Sequence, residues 1–138
     1  MLFRSLASKI ETAAAEYDGI VAIDASRDNK LIADLTEAGL PIEPIKFSPK
    51  RKRELVENLI TRVENGELAA PEIEQLRHEM EVFEYDVTRG GSIRYDAPEG
   101  FHDDTVDALA MAADQLDRVA AMGRRSDGDD TDNGLSYL

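Results

Sequence analysis

Apolar positions recur along the chain in two rhythms, and their alternation sets out the elements. Leu6, Ile10, Ala13, Ala14 and Tyr17 fall at helical spacing, which predicts an amphipathic helix over residues 5–17, stopped by Asp18-Gly19. "IVAIDAS", residues 20–26, is a nearly continuous apolar run, the mark of a strand buried on both faces. A helix over 29–38 follows, burying Leu31, Ile32 and Leu35, capped by Ser26 or Asp28 and ended by Gly39. "IEPIKFS", residues 42–48, reads as a second strand in which Pro44 marks an edge or a bend. A third helix over 50–64 carries Leu55, Leu59, Ile60 and Val63 on one face, and after a turn at "NGELAAP" a short helix spans 72–80. Two alternating runs, 81–87 and 92–97, joined by Arg89-Gly90-Gly91, predict a hairpin. A last helix runs over 103–122.

This order is that of an α/β domain. The strand–helix–strand step from 20 to 48 calls for a right-handed crossover between parallel strands, in a three-layer domain with a small sheet. The 138 residues suit one domain, here residues 1–122, followed by an acidic tail over 123–138 expected to be disordered. The chain has no Cys, which excludes a disulfide scaffold, a thiolate zinc site and a cysteine nucleophile. No run approaches the ~18 apolar residues of a membrane span and no signal-peptide pattern opens the chain, so a cytoplasmic protein is expected. The formal net charge of −13 disfavours a generic DNA-coating role, because such a charge repels phosphates at long range. Since the body is acidic as well as the tail, a salt-adapted source is expected, where screening tolerates the repulsion.

Against that background four stretches stand out. Asp24 ends the first strand, where ligands of open α/β sheets bind; an ionised carboxylate there is either a cap for the next helix or a functional group. "GFHDDTVDALAMA", residues 100–112, crowds Asp103, Asp104 and Asp107 into one helical turn. The helix dipole accounts for one or two of them as simple capping acids, while spacings of three and four let their oxygens converge on a hard divalent ion. His102 is a ligand, a donor behind the ligands, or a packed loop residue. "KFSPKRKR", residues 46–53, sets positive charge at a helix start against the dipole, which invites an anion or is balanced by Glu54 and Glu57.

Taken in order, these stretches resemble the C-terminal nuclease domain of viral terminase large subunits, of tailed-phage or haloarchaeal-virus type. The resemblance rests on "IVAIDASRDNKLIADLTEAGLPIEPIKFS", "KRKRELVENLITRVENGELAAP" and above all "APEGFHDDTVDALAMA", and covers roughly residues 6–121. It implies a ribonuclease H-like fold and two-metal phosphodiester hydrolysis with Mg²⁺ or Mn²⁺. By position it implies Asp24, Asp103 and Asp104 as catalytic residues, Asp24, Asp104 and Asp107 as metal ligands, and His102 as a supporting donor. Lys46, Lys50, Arg51, Lys52 and Arg53 become the DNA-binding residues. Double-stranded DNA, an ATPase domain, a small terminase subunit and a portal are the implied partners. The sequence holds no Gly-x-x-x-x-Gly-Lys-Ser/Thr loop for a nucleotide, has Ser26-Arg27-Asp28 where the family has glycines, and lacks the fold's N-terminal strands with their further Asp. The chain is then expected to be a fragment, a split gene product or a provirus remnant, inactive until completed. The other readings are a piece of a ribonuclease H-like resolvase or transposase, and an inactive binding or assembly module.

Overall fold

The computed structural model describes residues 2–27 and 29–129. The order is α1 (Leu2–Tyr17), β1 (Val21–Asp24), α2 (Asn29–Glu37), β2 (Ile42–Ile45), α3 (Pro49–Glu64), α4 (Glu74–Val82), β3 (Glu84–Val87), β4 (Ile93–Asp96) and α5 (Asp104–Asp129). Every element expected from the apolar pattern is present, with shifted ends. The largest shift is at α5, which continues past the end expected at 122 to Asp129; 130–138 of the expected tail lie outside the described residues.

β1 and β2 pair in parallel, from Val21 opposite Ile42 to Asp24 opposite Ile45, as the crossover through α2 requires. The hairpin does not extend this sheet. β3 and β4 form their own antiparallel pair, with Tyr85 opposite Tyr95, and β3 is exposed along its whole length. Phe83, just before β3, stacks on Tyr95 with ring centroids 6.4 Å apart, and Lys52 of α3 pairs with Asp96 at the end of β4. At the hairpin tip Gly91 adopts φ +80°, a left-handed conformation that the turn requires and that glycine takes without strain. β1, expected to be buried on both faces, is only half-buried, because a single strand flanks it in the sheet.

The core lies between α3 and α5. Leu55 and Leu59 of α3 meet Val106, Ala110 and Ala113 of α5, with Ile45 of β2 and Leu76 of α4 closing the ends. The alanines present so little side chain that the two helices can approach closely. The buried face of α3 differs from the expected one. Leu55, Val56 and Leu59 are inside, whereas Ile60 and Val63 are exposed, so the stripe is rotated toward Lys52. Ser48 caps α3, its Oγ accepting from Arg51 N at 3.1 Å, with Pro49 in the first turn. Ser26, a candidate cap for α2, is used otherwise: its Oγ accepts from Phe47 N at 3.1 Å and ties the end of β1 to the end of β2. Asp28, the other candidate cap, lies outside the described residues.

Candidate active site at the head of the last helix

The chain reaches α5 through a tight turn. Phe101 N donates to Pro98 O at 3.0 Å, and Gly100 between them takes φ +85°, as the third residue of a type II turn must. The exposed amides of the first turn of α5 are then claimed from outside. Glu79, buried on α4, accepts from Thr105 N at 2.8 Å, from Val106 N at 3.3 Å and from the Thr105 hydroxyl, while Gln75 Nε2 donates to it at 3.0 Å. Burial alone would raise the Glu79 carboxyl, but these donors outweigh it and hold the group below the usual range. The helix head is therefore capped by an acid of α4, which frees its own acids for other work.

Those acids diverge. Successive helical residues are turned by about 100°, and the three carboxylates meet three environments. Asp103 Oδ2 accepts from Lys52 Nζ at 2.7 Å and from Ala97 N at 3.4 Å. Asp104 is exposed, and its carboxylate has no hydrogen bond or ion pair among the described residues. Asp107 is half-buried: Oδ2 lies 3.5 Å from Lys52 Nζ, and Oδ1 is enclosed without a hydrogen-bond partner. Burial raises its carboxyl to about 6, with Lys52 pulling the other way and Asp103 and Asp96 adding repulsion.

Lys52 is the hub. Besides Asp103 and Asp107 it donates to Asp96 Oδ1 at 3.0 Å, and its side chain is only 16% exposed. Burial works against its charge, but the surrounding carboxylates prevail and raise its pKa. Burial likewise opposes ionisation of Asp96, yet hydrogen bonds from Lys52 and Arg94 hold that carboxyl below its usual range. Neither Asp96 nor Glu79 was picked out from the sequence. Glu79 had a signal, since it falls three residues after Leu76 on the apolar stripe of its helix; Asp96 had none beyond closing a strand ahead of a proline.

Asp24 sits at the C-terminal end of β1, exposed, with Oδ1 accepting from Ser26 N at 2.8 Å. That bond turns the chain and is not a helix cap. α5 packs against β1, and ion pairs give its direction. Glu43, early in β2, meets Arg118 far along α5, whereas Lys52, beyond the end of β2, meets Asp103 at the head of α5. The carboxyl ends of the strands and the head of α5 therefore lie toward the same end of the molecule. No hydrogen bond or ion pair joins Asp24 to α5 among the described residues. His102 is exposed beside Asp103, and its neighbour Phe101 packs against His78 at 5.9 Å.

The members of the basic island meet different surroundings. Lys46 and Lys50 are exposed, and Lys50, Lys52 and Arg53 line, with Arg94, Tyr95 and Asp96, an open groove of about 930 Å³ between α3 and the hairpin. Arg51 is drawn to Asp114 of α5 at 2.6 Å, and Lys52 turns inward. Helical spacing explains the split: Lys52 heads the stripe that continues through Leu55, Val56 and Leu59, so it must face α5.

Solved structures share this architecture. The large terminase nuclease from thermophilic phage G20c with bound magnesium superposes with a TM-score of 0.72 at 27% identity, over 82% of this chain and 61% of that one. The same nuclease with bound cobalt gives 0.73 at 25% identity, over 82% and 62%. The large terminase nuclease domain of Thermus phage P74-26 gives 0.70 at 25%, over 81% and 59%. The chain has the fold of a phage large-terminase nuclease domain. It is the ribonuclease H-like fold that the resemblance implied, and the chain spans about 60% of the length of these structures. No family model and no curated protein matches it.

Within this terminase-nuclease fold the donor chemistry suits a hard divalent ion. Among the described residues no three His, Asp or Glu side chains gather into a metal cage. Magnesium does not need one, since it keeps several waters and binds through one or two carboxylates together with substrate phosphates. Asp104, without a hydrogen bond or ion pair among the described residues, and the partnerless Oδ1 of Asp107 one turn on are oxygen donors of that kind.

Proposed function

We propose that this chain is the DNA-cutting portion of a viral large terminase, a Mg²⁺- or Mn²⁺-dependent endonuclease that hydrolyses phosphodiester bonds of concatemeric DNA during packaging. The observation that supports it best is Asp104, without a hydrogen bond or ion pair among the described residues, on a helix head already capped by Glu79, in a chain with the fold of terminase nucleases. Asp24, Asp104 and Asp107 are the residues that would hold metal, with Asp103 held against Lys52 beside them and His102 as a supporting donor behind the ligands. When bound, two such ions supply an activated water and stabilise the leaving oxygen. Lys46, Lys50 and Arg53 draw the phosphate backbone toward an otherwise acidic molecule, a local attraction working against the overall charge of −13.

An apolar groove at β1 is suited to a further strand of the fold. Ile20 just before β1 and Ala22 within it face Ala112, Leu116 and Val119 of α5 across an open cleft of about 220 Å³. The ATPase domain, the small terminase subunit and the portal are the further partners proposed. The site of action is the host cytoplasm during virion assembly, and the acidic body suits a salt-rich one.

The test is nicking of supercoiled plasmid in Mn²⁺ by a longer chain that includes the leading strands. Asp104→Asn and Asp24→Asn should each abolish cleavage; full cleavage by both would sink the assignment. A Mn²⁺ titration in which these substitutions change nothing would favour an inactive binding or assembly module instead.

A further inference from the structure

Lys52, expected among the DNA-binding residues, has its ammonium surrounded by carboxylates. Its stem lies on the buried side of α3, in line with Leu55, Val56 and Leu59. Its ammonium is the meeting point of four other segments: Asp96 at the end of β4 at 3.0 Å, Asp103 before α5 at 2.7 Å, Asp107 within α5 at 3.5 Å, and the Phe83 ring after α4, 5.9 Å to the centroid. Without it, three carboxylates would face one another across a partly desolvated space and repel. Asp104 stands between Asp103 and Asp107 in sequence and takes no part in this cluster, so its direction is set by how its neighbours are anchored.

We propose that Lys52 is a positioning residue for the acidic head of α5. By holding Asp103 and one oxygen of Asp107, it fixes the first turn so that Asp104 and the other oxygen of Asp107 are presented to a divalent cation. This role rests on the terminase-nuclease reading of Asp104 and Asp107. It goes beyond that reading in giving the metal site a supporting cation from a different helix.

Electrostatics supplies a test with a sign. If Lys52 were only a countercharge, removing it would make the head more negative and tighten divalent-ion binding. If it positions the ligands, removal weakens binding despite the added negative charge. Partners behind a metal's ligands typically account for about 10–100-fold in affinity.

The measurement is Mn²⁺ binding to the 138-residue chain by isothermal titration calorimetry, with helix content followed by circular dichroism. Lys52→Met keeps the apolar stem and should weaken Mn²⁺ binding about tenfold. Lys52→Arg keeps the charge but not the point geometry, and should fall between the two. In an Asp103→Asn background the loss caused by Lys52→Met should shrink, because the two substitutions remove the same interaction. Equal or tighter binding by a folded Lys52→Met overturns the proposal, as does an undiminished loss in the Asp103→Asn background. If Lys52→Met does not fold, Lys52→Arg decides: wild-type affinity there overturns the role and weakened affinity supports it. Asp104→Asn separates this proposal from its parent. Wild-type binding unchanged by Asp104→Asn removes the metal reading and the Lys52 role together, whereas Asp104-dependent binding indifferent to Lys52 removes the role alone.

Discussion

The two sides of this molecule use the same apolar spacing and reach opposite outcomes. On one side α3 lies against α5, and Leu55, Val56 and Leu59 are almost wholly removed from water. On the other side α1 carries an equally regular stripe, yet Leu6 is 46% exposed and Tyr17 76%. β1 next to it is only half-buried, with an open apolar cleft where it packs on α5. Periodicity states which face of a helix wants to be covered; it does not supply the cover. The closed side also carries the acidic head of α5, the Glu79 cap and Lys52, while Asp24 stands exposed at the end of half-buried β1.

Substitutions can break or sharpen this contrast. The largest effect is expected at Leu55: Leu55→Ala should destabilise the fold by about 2–5 kcal/mol in urea unfolding, since transfer and cavity costs add at a site with no exposure. Next is the cap, where Glu79→Ala strands the Thr105 and Val106 amides at a cost of about 1–3 kcal/mol. Because the folded pKa of Glu79 lies below its ordinary value, its stabilisation is complete above the ordinary glutamate range and disappears as pH falls through the folded value. Glu79→Ala and the wild type should therefore converge in acid.

Asp107 has the opposite sign. Its folded pKa, about 6, lies above the ordinary 3.8, so its contribution to stability is present below the ordinary value and is lost as pH rises through the folded one. In the metal-free protein Asp107→Asn should stabilise by about 1 kcal/mol at neutral pH and have no effect in acid, measured by unfolding at both. Lower in effect are the cations on the surface. Replacing Lys46, Lys50 and Arg53 by Gln should flatten the salt dependence of DNA binding by about 0.9 in log–log slope for each phosphate no longer neutralised, read by fluorescence anisotropy. Replacing Arg51 should instead loosen its tie to Asp114 and leave that slope unchanged. The smallest effect is expected on the open side, where Leu6→Ala should stay within about 0.5 kcal/mol. A destabilisation there comparable to that at Leu55 would erase the contrast between the sides.

Much of the fold was legible beforehand. All the helices and strands were marked by period, by turn residues such as Arg89-Gly90-Gly91, and by stops such as Gly39, because these signals act within a few residues along the chain. The region of the candidate site was legible too, since Asp24 and the acids of "GFHDDTVD" stood out against apolar neighbours. Their partners were not. Nothing local to residue 52 announces that it will meet Asp96 and Asp103, separated from it by 44 and 51 positions. The same holds for Glu79, whose acceptor oxygens serve amides 26 and 27 residues further on.

By itself, then, the chain's amino-acid order settled which segments coil, which extend, and where acids and bases cluster, because each depends on neighbours in sequence. Only the tertiary structure decided which of those charges are spent on one another. The roles of Asp103, Asp104 and Asp107 separate through the position of one lysine and one glutamate from other helices, and electrostatic pairing acts through space, indifferent to distance along the chain.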